Sequence, residues 1–370
     1  MPSQQMLGQV FPVTCTCHFI DRLSWTLHSM VLGLFEKKGT SKAPDVVDYL
    51  EAQLTYFDLS YPECVAAVTD TESTMVAAGR LIKQNSARAG GNTEWMGCIA
   101  HLLELVTGIA FDDTPSSEGT LKACRDIVNF FNSSTQAMQK LLGKQAQGRA
   151  VKPIQDVVTR WWSTYSMLTR LLRLMTYLQL LEEEGENRCN LTPAQWVIVK
   201  DLAALLSPFM VAQKLLEGEA YVTISFIPFI IYTIRKGLQE AITDANSSKH
   251  VTNTASRMLA EFNTRFGTGA DGTVATENQT EGPRRRPKGI HMIQLMSSFL
   301  DPRMKAGVGI SAVDKEYIWG EIRTRLIILA LTIAAENAGP QVIAVQEAPI
   351  QPQQPRRIDH EHDDIFHELN

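Results

Sequence analysis

The run Thr159–Tyr165 (TRWWSTY) contains the residue types best suited to recognising a nucleic acid. Two adjacent tryptophans behind an arginine would, if exposed, form a cationic aromatic edge. An unpaired base stacks on such an edge while the guanidinium holds a phosphate. The alternative is a core tryptophan at the start of a helix, capped by Ser163 or Thr164. The run therefore predicts either a contact made by Arg160 and Trp161 or a buried helix start.

Asp70 is the carboxylate whose position most resembles that of a metal ligand. It follows a short apolar strand, predicted over 65–69, and precedes a predicted helix over 72–83. A carboxylate at the carboxyl end of a strand is well placed to bind a divalent cation. The alternative is an ordinary helix N-cap, because polar residues and then a helix follow Asp70.

Cys98 and His101 form a Cys-x-x-His pair, which is half of a tetrahedral zinc site. The sequence contains no second pair of cysteines or histidines at a spacing that would complete it. Cys15, Cys17 and His18 lie along a predicted strand, whose alternation splays side chains to opposite faces. We therefore predict no metal site here, and the alternative for Cys98 and His101 is a buried thiol beside a hydrogen-bonded core histidine.

The composition excludes a strongly basic nucleic-acid binder, because the net charge of the 370 residues is -5. A basic run at 283–288 is the most obvious local exception. Six scattered cysteines and the lack of a secretory signal favour a reducing compartment, cytosolic or nuclear. We find no continuous apolar run of the roughly 18 residues that a membrane span requires, so no membrane association is expected.

Hydrophobic periodicity predicts a mixed α/β protein that is predominantly α. Strands are expected over 9–20 and 24–34, joined by a hairpin, and a helix is expected to include 46–57. From Cys98 onward the pattern becomes almost wholly helical. The predicted helices cover 98–111, 118–144, 164–184, 192–217, 225–243, 249–266, 289–298 and 314–335.

Five regions follow from this pattern. Residues 1–100 are predicted to form an α/β region and 101–266 a helical domain, with a helical return segment at 290–338. Residues 267–289 and the acidic tail 339–370 contain few apolar side chains. Because they bury too little apolar area to offset the entropy of ordering, we predict a disordered linker and a disordered tail.

Several blocks resemble hAT-type DNA transposases and their BED-type zinc-finger relatives. Asp156–Leu171 (DVVTRWWSTYSMLTRL) is similar to the Arg-Trp block of the family, and Val68–Leu81 (VTDTESTMVAAGRL) to its second-aspartate block. Threonines replace the two asparagines usual in the latter. Cys98 and His101 resemble the motif that follows this aspartate. Similarity to the BED-type relatives continues through 191–196, 205–209, 221–228 and 298–305.

The resemblance implies an RNase H-like sheet interrupted by a helical insertion domain. It also implies a DNA contact by Arg160 and Trp161, with Cys98 and His101 beside the active site. Family chemistry requires Mg²⁺ held by three carboxylates. Only Asp70 matches one, and no first-strand aspartate, third carboxylate or BED finger is found in this sequence. The expected sheet is therefore incomplete, Asp70 is expected to be vestigial, and no transposase activity, cofactor or zinc is expected.

Three functions remain open at this point. The first is a catalytically inactive, transposase-derived nuclear module that binds DNA weakly and interacts with other proteins in transcription. The second is a helical protein-interaction scaffold with no nucleic-acid role, in the nucleus or cytoplasm. The third is a residual metal-dependent nuclease completed by a partner chain. Because a central strand is expected to be missing, the α/β region is predicted to be loose and the helical domain to be the stable unit.

Overall fold

The structure, a computed structural model, describes residues 11–21, 23–37, 42–111, 115–146, 148–158, 160–185, 191–245, 247–268 and 288–337. The predicted tail 339–370 lies outside these ranges. Of the predicted linker 267–289, only residues 267–268 and 288–289 lie inside them.

The chain opens with a β-hairpin. Strands β1 (Phe11–Ile20) and β2 (Leu27–Lys37) are antiparallel, which confirms the predicted hairpin, and their register shifts between Cys15 and Thr16. Cys15 and Cys17 both pack toward the helices, whereas His18 is exposed. The alternation of the strand therefore separates the imidazole from the two thiols, and it leaves the thiols on one face.

Two helices and two short strands complete the α/β region. They are α1 (Ala43–Tyr56), β3 (Ala66–Thr69), α2 (Ser73–Arg88) and β4 (Glu94–Gly97). The four-residue strand β4 was not predicted from the sequence. It pairs in parallel with β3, and the ring of Trp95 lies so close to α2 that a Cβ added to Gly79 would meet it at 2.3 Å.

The described strands form two separate two-stranded sheets, β1–β2 and β3–β4. Both pack on one small cluster that contains Leu32, Val47, Leu54 and Ile82, with Ala67 of β3 against its border. A single continuous sheet of the RNase H type is therefore not present among the described residues, and that part of the fold prediction stays a prediction.

Most of the rest of the described chain is helical, as predicted. A single helix had been expected over 118–144, but the chain breaks at Ser134, whose hydroxyl accepts a hydrogen bond from the Ala137 N–H at 3.2 Å and so begins a new helix. The helices are α3 (Ile99–Phe111), α4 (Pro115–Ser133), α5 (Thr135–Lys144), α6 (Trp161–Glu183), α7 (Pro193–Leu216), α8 (Ile227–Thr243), α9 (Lys249–Phe266), α10 (Met292–Leu300) and α11 (Ala312–Asn337).

Helix α7 lies at the centre of the main core and packs against α3, α4, α6, α8 and α9. By length and composition α7 is also the one helix among the described residues that could cross a membrane, although Lys200 and Asp201 interrupt its apolar sequence. Its apolar character has a simpler cause. Val199, Leu202, Leu206 and Phe209 are almost fully buried against the neighbouring helices, as expected of a helix at the centre of a core.

The return segment is tied to the same core through Asp301. Its carboxylate accepts hydrogen bonds from the Ser225 hydroxyl at 2.6 Å and from the Arg303 guanidinium at 2.7 and 3.0 Å. The same guanidinium lies 4.6 Å from the centroid of the Phe226 ring. The bonds from Arg303 and Ser225 outweigh burial and lower the pKa of Asp301 to about 2. The residue types of block 298–305, which resemble the family, are therefore explained by the contacts that attach the return segment to the core.

A second polar group links the return segment to the α/β region. His291 caps α10 by accepting a hydrogen bond at Nδ1 from the Ile293 N–H at 3.2 Å, and its Nε2 lies 3.4 Å from the Glu94 carboxylate. Lys83 of α2 pairs with the same carboxylate at 2.5 Å. Burial lowers the pKa of His291 despite Glu94. The neutral ring can thus accept at Nδ1 and donate from Nε2.

Candidate nucleic-acid-binding surface

Helix α6 begins inside the run Thr159–Tyr165. The residue at which it begins determines which of the two tryptophans is exposed. Arg160 occupies the N-cap position in an extended conformation, and Trp161 is the first helical residue. Trp161 points into the main core and is 5% exposed, whereas Trp162 is 39% exposed. The guanidinium carbon of Arg160 lies 5.8 Å from the centroid of the Trp162 ring. The exposed cationic aromatic edge therefore consists of Arg160 and Trp162. Trp161 is a core tryptophan at the start of a helix, which is the alternative that the sequence left open.

The next two residues of the run serve the local structure. Arg160, and not Ser163 or Thr164, occupies the cap position. The Ser163 hydroxyl accepts a hydrogen bond from the Val157 N–H at 2.8 Å and lies 2.7 Å from the Arg160 carbonyl. The Thr164 hydroxyl donates to Asp156 at 3.0 Å. Both side chains are buried, so they fix the segment that leads into the helix.

We call that segment, residues 148–158, the strap. The Asp156 carboxylate at its end is fully buried and accepts hydrogen bonds from the Arg125 guanidinium of α4 at 2.8, 3.0 and 3.1 Å. Burial by itself raises the pKa of Asp156, but the bonds from Arg125 and Thr164 outweigh it and hold the pKa below its ordinary value. The carboxylate therefore stays ionised and anchors the strap.

A buried amide shapes the beginning of the strap. The Gln145 side chain accepts a hydrogen bond from the Val151 N–H at 2.8 Å and donates to the Val151 carbonyl at 3.0 Å. Further along α6, Arg170 donates to the Lys152 carbonyl at 2.6 Å and Arg173 to the Arg149 carbonyl at 3.3 Å. The strap consequently runs beside α6 with a defined path.

The strap, α5 and α6 concentrate positive charge in an otherwise acidic chain. Seven of the eight charged residues between Ser134 and Leu181 are cationic, and the eighth, Asp156, is paired inside the protein. We call these seven cations the basic strip: Lys140, Lys144, Arg149, Lys152, Arg160, Arg170 and Arg173. Lys144 also pairs with Glu184.

The helical repeat brings part of the basic strip into line with the exposed indole. Trp162, Arg170 and Arg173 are spaced i, i+8 and i+11 along α6, which places them on one face of the helix. Arg149 and Lys152 of the strap are exposed beside this face. An aromatic ring among cations can stack on a base and contact backbone phosphates on either side.

Asp70 and the Cys98–His101 motif lie together at the carboxyl edge of the β3–β4 pair, and not on the surface formed by α6 and the strap. Cys98 follows β4, and its N–H donates to the carbonyl of Thr69, the last residue of β3, at 2.6 Å. Asp70 accepts a hydrogen bond from the Glu72 N–H at 3.0 Å, which is the bond of a turn into α2. Within the described ranges, no group of three carboxylate, histidine or cysteine side chains forms a metal site.

Sequence reasoning missed Trp162 as the exposed aromatic residue and missed the contribution of Arg149, Lys152, Arg170 and Arg173. Two signals in the sequence could have found them. The first is the local excess of cations against a net charge of -5. The second is the common helical face of positions 162, 170 and 173.

Comparison with known proteins identifies the class of domain that carries this surface. The family model of the ZBED1 RNase-like helical domain matches residues 96–205, a range that contains α3 to α6, the strap and most of α7. The match covers less than a third of the chain, and it agrees with the resemblance of the sequence blocks to hAT-type transposases and their BED-type relatives.

Two curated proteins are similar to parts of this chain. The chain is 35% identical over 114 residues to "Putative transcriptional regulator tpeD" from Talaromyces stipitatus, an overlap of 30% of this chain and 13% of that protein. It is 23% identical over 141 residues to the human Zinc finger BED domain-containing protein 4, an overlap of 38% of this chain and 12% of that protein. The matched regions thus span only about an eighth of either relative.

Proposed function

We propose that this chain is a catalytically inactive, nucleic-acid-associated module of a nuclear, transcription-related protein. The observation that supports this most directly is the exposed Arg160–Trp162 edge, whose indole shares a face of α6 with Arg170 and Arg173 on a chain of net charge -5. The name of one relative refers to transcriptional regulation and that of the other to a zinc finger. Both names fit a role of this kind and a nuclear location.

Binding is expected to be weak and strongly dependent on salt. Each contact to a phosphate releases counterions. For every such contact that is lost, the slope of log affinity against log salt concentration becomes shallower by about one. The basic strip offers a handful of such contacts, whereas the rest of the chain repels a polyanion. Stacking on Trp162 would add roughly 1–3 kcal/mol for one unpaired base. We therefore expect single-stranded DNA to bind more tightly than duplex DNA of the same length.

The proposal includes the loss of transposase chemistry. A single carboxylate cannot position the two metal ions that strand transfer requires. Asp70 accepts a hydrogen bond from the Glu72 N–H, as a residue at the start of a turn does. We accordingly regard Asp70, Cys98 and His101 as remnants of a family motif on an incomplete RNase H-like sheet, and we assign them neither Mg²⁺ nor Zn²⁺.

Fluorescence anisotropy with labelled single-stranded and duplex oligonucleotides, measured over a range of salt concentrations, tests the proposal. Replacing the exposed indole by Trp162→Ala should weaken single-stranded binding roughly tenfold, with little change in the salt slope. The double substitution Arg149→Gln and Lys152→Gln should instead lower the salt slope by about two. The control for the first variant is Trp25→Ala, which removes another exposed indole.

Matched controls separate the site from the overall charge. The double substitution Lys200→Gln and Lys214→Gln removes two exposed cations from α7 and should leave binding almost unchanged. Loss of affinity by the controls equal to that of the site variants would contradict a localised surface. Complete absence of salt-dependent binding would favour the scaffold function. Metal-dependent cleavage abolished by Asp70→Ala would favour the nuclease.

A further inference from the structure

Helix α10, the first helix of the return segment, begins at a histidine. His291 is its N-cap residue, and the Nδ1 atom accepts a hydrogen bond from the Ile293 N–H at 3.2 Å. The Gln294 side chain completes the capping box by accepting a bond from the His291 N–H at 3.0 Å. At α5, α7 and α9 the equivalent bond is made by a hydroxyl group, which does not titrate near neutral pH. The imidazole ring of His291 does change its charge in that range.

The other nitrogen of this ring faces the α/β region. Its Nε2 atom lies 3.4 Å from Oε2 of Glu94 on β4, and this buried oxygen lies 2.5 Å from Lys83 Nζ of α2. The side chain of His291 is only 13% exposed. Charged groups on three elements act on the ring, namely Glu94, Lys83 and Arg325 of α11. One imidazole therefore contacts the return segment through one nitrogen and the α/β region through the other.

The two contacts require different protonation states of the ring. Nδ1 carries no proton while it accepts the bond from Ile293, so the proton of the neutral ring is on Nε2 and points at Glu94. A second proton must go to Nδ1, where two N–H groups would then face each other and the cap bond would be lost. The charged ring would also lie at the positive end of the α10 dipole. Its attraction to the Glu94 carboxylate would increase.

We propose that His291 is a pH-sensitive switch at the start of α10: the neutral ring caps the helix, whereas the protonated ring gives up the cap and pairs with Glu94. Burial, Lys83 and Arg325 oppose the charged ring, and together they outweigh Glu94 and lower the pKa of His291. A base with a lowered folded pKa stabilises the fold fully above its unfolded pKa, and this effect is lost as pH falls through the folded pKa. The cap is therefore complete at neutral pH and is lost in acid.

The expected change is confined to the first turn of α10. Ile290 and Leu295, on either side of the cap, are almost fully buried in the main core, so the helix itself stays attached. The contact of the ring with Glu94 also persists after protonation. Acid should therefore loosen the point at which the return segment enters the core, without separating the α/β region from it.

Nitrogen NMR of the full chain with labelled histidine tests the protonation state. The signals of His291 are those that disappear in His291→Asn. We expect a neutral ring that is protonated on Nε2, with a titration midpoint below the ordinary value of about 6.5. A neutral ring protonated on Nδ1, or a midpoint at or above that value, would overturn the proposal.

Hydrogen exchange, corrected for the intrinsic effect of pH, tests the loss of the cap. Protection of the Ile293 amide should fall roughly fivefold as pH drops through the midpoint of the ring, which is the effect of one lost N-cap bond. The internal control is the Gln195 amide of α7, which donates to the Thr192 hydroxyl at 3.2 Å and should not respond. In His291→Asn the cap remains but cannot titrate, so protection of Ile293 should stay constant. Constant protection in the unaltered chain, or an equal fall in the variant, would contradict the switch.

Two further variants test the contact at Nε2 by opposite shifts. Glu94→Gln removes the group that favours the charged ring and should lower the midpoint of His291, whereas Lys83→Gln removes a group that opposes it and should raise the midpoint. Both variants break the same ion pair, so damage to the fold cannot account for shifts of opposite sign. Thermal unfolding verifies that both fold. Shifts in the same direction would overturn the role of Glu94.

Discussion

Arg125 and Asp156, which are 31 positions apart, form a bidentate ion pair between α4 and the end of the strap, with the carboxylate fully buried. The Thr164 hydroxyl of α6 donates to the same carboxylate. Three segments are thus joined at one anion. The position of the strap, and with it that of Arg149 and Lys152, depends on this contact.

The substitution Asp156→Ala should destabilise the fold by about 2–4 kcal/mol. It leaves the Arg125 guanidinium, whose side chain is 28% exposed, and the buried Thr164 hydroxyl without their shared acceptor. The measurement is the midpoint of urea unfolding. The control is Glu219→Gln, which alters an exposed carboxylate and should leave the midpoint unchanged. Equal midpoints for both variants would show that the ion pair contributes nothing to stability.

We expect the Asp301 carboxylate to stabilise the fold near neutral pH and to lose this effect in acid. Its pKa falls from 3.8 to about 2 in the folded chain, chiefly because of the hydrogen bond from Arg303. A group with a lowered folded pKa stabilises the fold above its unfolded pKa and loses that effect as pH falls toward the folded pKa. Since Arg303 is 48% exposed, the pair is partly screened, and we expect about 1–2 kcal/mol.

The test compares urea unfolding of the unaltered chain and of Asp301→Asn at pH values on both sides of this interval. The difference in free energy of unfolding should be largest near neutral pH and should shrink as pH drops below 4. A difference that stays constant down to pH 2 would indicate that the Asp301 carboxylate does not titrate in this way.

The two neighbouring tryptophans should give opposite results. Trp161→Ala removes a core side chain and should cost about 3–5 kcal/mol of stability. Trp162→Ala removes a half-exposed ring and should cost less than about 1 kcal/mol, while it weakens binding to single-stranded DNA. Thermal unfolding and anisotropy measured on both variants decide the point. A loss of binding by Trp162→Ala that merely follows a loss of folded protein would remove the stacking role.

Hydrogen exchange should show a less stable α/β region. Among the described residues, the cluster beneath the two sheets has six buried hydrophobic members, whereas the main core extends through nine helices. Amides of residues 62–70 should therefore exchange faster than those of 165–215, because subglobal opening exposes less apolar area. Equal protection of the two segments would contradict an α/β region that opens on its own.

Much of the helical fold could be predicted from the sequence because local patterns determine it. Helix α9 begins and ends at the predicted residues, and α7 is within one residue at each end. Apolar periodicity, Thr192 as a cap and Gly267 beyond the last turn are local signals. Strand β4 escaped prediction because four residues carry too little alternation, and its partner β3 lies more than 20 positions earlier.

The candidate site was harder to predict, for a different reason. Whether Trp161 or Trp162 faces the core depends on the rotation of α6, and a shift of one residue turns a helix by about 100°. That rotation is fixed by Asp156, which accepts hydrogen bonds from Thr164 and from Arg125 of a distant helix, and by the bond from the Val157 N–H to Ser163. Sequence spacing identified the right segment, but only the tertiary contacts select the exposed ring.

The path of the strap also lowers the entropy that is lost when a polyanion binds to it. Gln145, Arg170 and Arg173 bind backbone atoms of the strap, and Asp156 fastens its end, so Arg149 and Lys152 are carried by a backbone that is already ordered. A polyanion that docks there immobilises little more than two side chains. The surface is preorganised, and a ligand of modest charge can therefore bind it without first folding the loop on which it rests.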